Sequence, residues 1–317
     1  MTGFNIDTCK WVMWGAKRPY NSFGHIHESL LRILKSLGKE AYWVEKDDDV
    51  SGIDFENTLF MTQNCVYPGV PQRKDCFYVV HNMQYPSVEG ATDHCGPYFE
   101  GLKSLGYNVH RLVNKYSRNV EEIGPQIFFE ADSRTISFRW GTDLLPHEID
   151  ANKPVKAFNS ESRVFNYVGS LDDEKARNIN RFAVACKENG IEYCQYGGFS
   201  GGPILSIVDH VRLIKESYLT PAFHATGEIE QGWISDRLIK NISYGQMGLT
   251  CSKYVNEFFN NRLVFNTDAY QLFYDAKERL SNMPVKELHD LMDIIAKNHT
   301  YLNAITGIEQ AVRALEN

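Results

Sequence analysis

Between Ser235 and Tyr244 the chain reads Ser-Asp-Arg-Leu-Ile-Lys-Asn-Ile-Ser-Tyr, a segment whose spacing sorts its chemistry onto one side of a helix. Leu238, Ile239 and Ile242 form an apolar stripe, while Arg237, Lys240, Asn241 and Tyr244 stand at i, i+3, i+4 and i+7 on the opposite face. With Ser235 as the N-cap, Arg237 falls in the first turn, where the helix dipole disfavours a cation by about 0.3–1 kcal/mol. A bound anion reverses that cost. Backbone N–H groups along Gly232, Trp233, Ile234 and Ser235, together with the Arg237 and Lys240 side chains, would suit a diphosphate. Taken alone, the same residues also fit a solvated basic face on which Asp236 balances Arg237.

Other candidates are more isolated. His81 follows Phe77-Tyr78-Val79-Val80 and precedes a long irregular stretch, which puts it at the carboxyl end of a strand, where α/β sheets bind ligands. The alternative is a core histidine. The run Gly197-Gly198-Phe199-Ser200-Gly201-Gly202 is rich in approachable amides, but its spacing is wrong for a dinucleotide fingerprint, and no P-loop occurs. His25 and His27 lie two apart at a helix start and point in different directions, which does not suit a shared metal. Asp47-Asp48-Asp49 offers carboxylates for a metal, yet it sits before Val50-Ser51-Gly52 and reads as a solvated turn. Trp233, Tyr218, Phe223 and Phe199 could stack on a base or sugar, or simply pack.

The elements that must position these residues repeat one logic. Trp11–Trp14, a loop to Gly24, a helical run through Leu37 closed by Gly38, and Ala41–Val44 make strand, loop, helix, strand. Strand-like runs follow at Thr58–Thr62, Phe77–Val80, Val109–Val113, Ile127–Glu130 and Thr135–Phe138, with a short helix near Tyr98–Leu105. Residues 141–160 carry Pro146 and Pro154 and little periodicity, so the domain boundary is expected there. The pattern restarts with Val164–Val168, a helix through Cys186, and Ile191–Tyr196. Pro203 then suits the first turn of a helix through Ile214, and Leu219–Phe223 reads as a strand. After Ser235–Tyr244 come strands at Leu249–Cys251 and Leu263–Phe265, a helix at Ala269–Leu280 and helical periodicity from Val285 to Leu315. Length agrees: 317 residues with 43% hydrophobic and 23% charged content predict two globular domains.

Charge and cysteine usage narrow the partners. Thirty-three Lys and Arg against 40 Asp and Glu give a formal charge of −7, which lacks the basic footprint of a duplex-binding protein. Seven scattered cysteines with no Cys-x-x-Cys pair argue against disulfides and structural zinc and predict buried thiols. No apolar run approaches the roughly 20 residues that cross a bilayer, and Cys9–Gly15 is too short for a signal sequence, so a soluble, cytoplasmic protein without stable membrane insertion is expected.

Two α/β halves of this kind predict a ligand in a cleft between them. Their motifs resemble those of the GT-B glycosyltransferases, specifically the retaining nucleotide-sugar-dependent group of bacterial and viral glycan synthesis. Asn21-Ser22-Phe23-Gly24 resembles that family's N-terminal glycine loop, and Phe77–Asn82 its strand ending in a histidine that touches the donor sugar. Phe138–Pro146 is similar to the Gly-x-Asp stretch ending its first domain, Tyr167-Val168-Gly169-Ser170-Leu171 to the opening of the second, and Leu238–Gly245 to the helix before a glycine. The family usually places two glutamates, separated by seven residues, before that glycine. Here Gly232 and Lys240 occupy those positions, with Glu228 and Glu230 near the first.

The resemblance implies two Rossmann-like domains facing across a cleft: residues 1–154 for the acceptor, 155–284 for the nucleotide sugar, and C-terminal helices over 285–317 crossing back to the first domain. It implies metal-independent, retaining transfer from a UDP- or GDP-linked sugar to a glycan, glycoprotein or other hydroxyl acceptor, with no cofactor and no nucleic-acid partner. His81 and Glu228 or Glu230 would act on the sugar. Gly24, Gly169, Ser170, Gly197, Gly198, Phe199, Gly232, Trp233, Ile234, Ser235, Arg237 and Lys240 would hold the donor, and Asn21, Ser22 and Phe23 the acceptor. A nucleotide-sugar epimerase of the same fold and a non-catalytic glycan- or nucleotide-binding protein are the rival readings.

Overall fold

The computed structural model describes residues 3–17, 22–63, 69–82, 96–114, 128–130, 134–169, 171, 173–197, 205–230 and 233–316. The chain divides into two compact units, Met1–Asp143 with Tyr301–Asn317, and Leu144–Thr300.

In the first unit Trp11, Val12, Met13 and Trp14 are all buried, as befits a strand covered on both faces. That strand, β1 (Lys10–Trp14), leads through α1 (Ser22–Ser36) to β2 (Ala41–Val44), then β3 (Thr58–Gln63) and β4 (Phe77–Asn82). The unit continues with α2 (Gly96–Ser104), β5 (Asn108–Asn114), β6 (Phe128–Glu130) and β7 (Thr135–Phe138). The sheet runs β2-β1-β3-β4-β5-β7-β6, parallel except for β6, which pairs antiparallel with β7. Strand order turns back at β1, so the carboxyl ends of β1 and β3 flank a topological switch point.

The second unit begins with α3 (Pro146–Ala151), whose Glu148 carboxylate caps the Leu145 N–H at 2.7 Å. It continues with β8 (Val164–Val168), α4 (Asp173–Glu188), β9 (Glu192–Tyr196), α5 (Ile207–Glu216), α6 (Thr226–Glu230) and α7 (Asp236–Ser243). The remaining elements of the unit are β10 (Leu249–Thr250), α8 (Lys253–Phe258), β11 (Val264–Phe265), α9 (Ala269–Asn282) and α10 (Val285–Asn298). The final helix, α11 (Tyr301–Glu316), belongs to the first unit.

Four expectations are corrected here. Leu219–Phe223 is not a regular strand: it joins the pair β8–β9 to the pair β10–β11 through one bridge, Pro221 to Leu249, and the Tyr218 N–H to Val164 carbonyl bond of 2.7 Å. Pro221 has no N–H for a ladder, and the Ser217 hydroxyl takes the Asn166 N–H at 3.1 Å in place of a neighbouring carbonyl. Second, α5 begins at Ile207 after its N-cap Ser206, whose hydroxyl accepts the Asp209 N–H, and Pro203 lies outside the described residues. Third, the helical run from Val285 is two helices, broken at His299 and Thr300, and the chain enters the first unit only with α11. The stripe Leu288, Leu291, Met292 and Ile295 is buried with α10 packed on α3 and α7, within the second unit. Fourth, Gly24 is not in a loop: α1 already begins at Ser22, and Gly24 is buried in its first turn. The division between units falls after Asp143.

In the first unit α11 packs on α1 and β7, with Lys39 paired to Glu309 at 2.7 Å and Arg313 to Asp7 at 2.6 Å. Among the described residues no helix is long and apolar enough to cross a membrane. None of the five described cysteines is in a disulfide; Cys9, Cys76 and Cys186 are buried, and Cys194 and Cys251 half-buried.

Candidate functional site

The carboxyl ends of β8 and β9 meet at two glycines. Gly169 has φ +140° and Gly197 φ +123°, both in the region open to glycine, and a Cβ on Gly197 would lie 2.9 Å from the Gly169 nitrogen. Gly169 is tied across to β9 by its N–H to the Tyr196 carbonyl (2.8 Å) and by its own carbonyl, which accepts from Gln195 Nε2 (2.8 Å). A Cβ on Gly169 would collide with the Arg237 guanidinium, which rests on this glycine's open face.

Arg237 is fixed by three contacts to β8. Its Nε donates to the Val168 carbonyl at 2.8 Å, its Nη1 donates to the Tyr167 hydroxyl, and its Cζ stands 4.2 Å from the Tyr167 ring centroid. Among the described residues Nη2 has no protein acceptor, which leaves one edge of the fork for a ligand. The sequence placed Ser235 as the N-cap of this helix, and its hydroxyl does accept the Arg237 N–H at 3.2 Å.

His224, which sequence reasoning passed over, organises the same corner. Its Nε2 accepts the Ser235 N–H at 3.0 Å, so the ring is neutral. Burial lowers its pKa to about 3, helped by the positive charges of Lys175 and Arg237 nearby. Lys175, in the first turn of α4, was missed as well; beside Asp173 and Glu174 it looks like part of a solvated helix start. In the structure its side chain is only 13% exposed and its ammonium lies 2.5 Å from Glu228. Two cations therefore bear on a buried neutral histidine, and one of them, Arg237, rests where two glycines bring the backbone close.

The expected open face of α7 is overturned. Lys240, Asn241 and Tyr244 are 5%, 2% and 4% exposed, because α10 covers α7 and Asn241 donates to the Thr220 carbonyl at 2.8 Å. The Lys240 ammonium sits 3.1 Å from Asp236 and is not presented beside Arg237. Glu228 caps α6 by accepting the Ala225 N–H at 3.0 Å, and Glu230 is exposed. Trp233 is half-buried, its N–H on the Glu228 carbonyl, and Ile234 is buried. Ser170, Gly198, Phe199, Gly232 and Asn21 lie outside the described residues, and Ser22 and Phe23 open α1.

In the first unit His81 is 0% exposed at the end of β4, its ring 5.1 Å from that of Phe138 and 5.9 Å from that of His27. Burial, reinforced by the charge His27 would carry, holds it well below the ordinary histidine value, so it stays neutral and offers no exposed surface to a sugar. Asp47–Asp49 form a turn: Asp48 pairs with Lys17 and accepts the Glu45 N–H, and Asp49 accepts the Ser51 N–H. Among the described residues no three His, Cys, Asp or Glu side chains are grouped to hold a metal ion.

No family model matches the chain, and no curated protein matches it in sequence. Solved structures do. An alpha-glucosyltransferase in complex with UDP and a 13-mer DNA containing an HMU base superposes at TM-score 0.60 with 6% identity, covering 96% of this chain and 100% of that one. A glycosyltransferase from Rickettsia africae ESF-5 matches at 0.55 with 9% identity, over 98% of this chain and 100% of that one. The trehalose-6-phosphate enzyme from E. coli bound with UDP-2-fluoro glucose matches at 0.51 with 9% identity, over 96% and 98%.

The fold is GT-B.

At 6–9% identity these likenesses establish the GT-B architecture, and the chemistry has to be argued from the residues above. Within that architecture the glycine and arginine corner lies at the carboxyl edge of the second unit's strands, the edge at which open α/β sheets take ligands.

Proposed function

We propose that this protein is a glycosyltransferase that takes its sugar from a nucleoside diphosphate donor, UDP- or GDP-linked, and passes it to a hydroxyl acceptor. The observation that carries the reading is Arg237, locked on β8 and resting on Gly169 next to Gly197, with Lys175 as a second cation acting on neutral His224. The diphosphate would sit on the free edge of the Arg237 fork, with Lys175 as a second positive charge and glycine backbone in place of side chains.

In the transfer step the bond from the anomeric carbon to the diphosphate oxygen breaks, the acceptor oxygen bonds to that carbon, and the acceptor's hydroxyl proton passes to the departing diphosphate oxygen. Negative charge grows on the leaving diphosphate, and a guanidinium already locked on Val168 and Tyr167 stabilises it without rearranging. In this reading two side-chain cations carry the charge that a metal ion carries elsewhere. Two neighbours support a UDP donor, one being in complex with UDP and the other bound with UDP-2-fluoro glucose. Retention at the anomeric carbon belongs to the same reading. A formal charge of −7 favours a glycan or glycoprotein hydroxyl over DNA.

Isothermal titration with UDP and GDP, followed by incubation with their sugars, tests the reading. Arg237→Ala is expected to weaken nucleotide binding roughly 10- to 100-fold, the worth of a charge-assisted hydrogen bond. Unchanged affinity in a folded variant overturns the assignment, and nucleotide binding without transfer or hydrolysis of any sugar overturns catalysis.

A further inference from the structure

Lys175 is not idle in this structure. Its ammonium is 2.5 Å from Glu228 Oε1, while Glu228 Oε2 accepts the Ala225 N–H at 3.0 Å. One residue earlier, the Glu174 carboxylate accepts both the Thr226 N–H at 2.8 Å and the Thr226 hydroxyl at 2.7 Å. The one-and-a-half-turn helix α6 is thus fastened to the first turn of α4 by two carboxylates, and one of these neutralises a cation of the proposed site. Trp233, whose N–H bonds the Glu228 carbonyl at 2.8 Å, links this latch to the chain entering α7.

We infer that Glu228 is a resident counter-ion, which holds Lys175 until a diphosphate arrives and displaces it. The inference rests on the diphosphate reading above and deepens it. Lys175 is 13% and Glu228 26% exposed at the side chain, so their attraction is stronger than that of a surface pair, and leaving either charge alone is costly. A diphosphate brings more negative charge than one carboxylate and has Arg237 close by to bind it as well, so it outcompetes Glu228 for the lysine. The freed carboxylate, pushed by the anion, swings towards solvent. With it goes one of the two fastenings of α6, and residues 225–230 loosen as the nucleotide binds. Glu228 is therefore a positioning residue that sets the affinity of the site and signals occupancy to α6, and it makes no contact with the sugar.

The test is UDP titration of the full chain as wild type, Glu228→Gln and Lys175→Met, with hydrogen exchange read over 225–230 in the wild type. Glutamine keeps an oxygen for the Ala225 N–H but removes the competing charge, so Glu228→Gln is expected to bind UDP roughly 5- to 30-fold more tightly. Lys175→Met is expected to bind it at least 10-fold more weakly. Amides of 225–230 in the wild type should exchange faster once UDP is bound. If Glu228→Gln binds UDP no better, or 225–230 becomes more protected, the counter-ion role is overturned, while weak binding by Lys175→Met leaves the diphosphate reading standing. If the wild type binds neither UDP nor GDP, both fall together. Should Glu228→Gln fail to fold, exchange in the wild type still decides.

Discussion

Single residues show how much of the site could be read in advance. Arg237 and its Ser235 cap were legible because an N-cap and helical spacing are local, whereas His224 and Lys175 were not, since each acquires its role from a partner across the unit: Ser235 for one, Glu228 for the other. Lys240 misled for the same reason, because its burial depends on α10, more than forty residues on. Gly169 gives a sharp expectation: Gly169→Ala meets both φ +140° and the Arg237 guanidinium, so thermal denaturation should show a loss of about 1–3 kcal/mol, and UDP affinity should fall with it. The histidines give another. His27, His110 and His224 are held at about 3, against 6.5 when unfolded, chiefly by burial, and burial lowers His81 as well. Such groups bind protons in the unfolded chain before the native one, so the stability they allow is complete above pH 6.5 and drains away as pH falls towards 3. Each contributes a slope of about 1.4 kcal/mol per pH unit in that window. His110, whose ring stacks on Phe77 at 4.8 Å, is the one to replace: His110→Phe should flatten the urea midpoint between pH 6.5 and 4 by that amount, and an unchanged slope would show that His110 is not held neutral.

Among the elements, those with a clean period were legible and those defined by exceptions were not. The buried run of β1 and the 3.6-residue stripe of α1 announce themselves, since both faces of one and a single face of the other are apolar. The segment 218–221 has a strand's composition, but Pro221 and Ser217 alter its bonding, and only the neighbours of β8 reveal it. Ser217 is fully buried, accepts the Asn166 N–H and donates to the Leu213 carbonyl at 2.8 Å. Ser217→Ala leaves that N–H buried without an acceptor, so chemical denaturation should report a loss of about 1–3 kcal/mol, far above the near-zero change of an exposed serine. The break at His299 and Thr300 was equally hidden, because helical periodicity on both sides of it gives no sign that the two helices serve different units.

At the scale of the molecule, the second unit is one continuous stretch, Leu144–Thr300, set within the first. A fragment of those residues contains Arg237, Lys175, His224 and both glycines, and is expected to bind UDP within several-fold of the full chain by titration; absence of binding would mean that the first unit supplies part of the nucleotide site. Residues 1–300, by contrast, lack α11, whose Tyr301, Ala304, Ile305, Ile308 and Val312 are buried. That truncation should aggregate on purification, and a monodisperse product with native stability would show α11 to be dispensable. The insertion also has a consequence for synthesis. The last strand of the first unit is complete at Phe138, yet the helix that covers α1 and β7 begins about 160 residues later. At roughly 5–20 residues per second, that apolar face leaves the ribosome bare and stays so for about 10–30 s, while the inserted unit emerges and folds ahead of its host. Slowing translation between codons 139 and 300 would lengthen this exposure and lower the soluble yield, although no residue of the finished protein would differ.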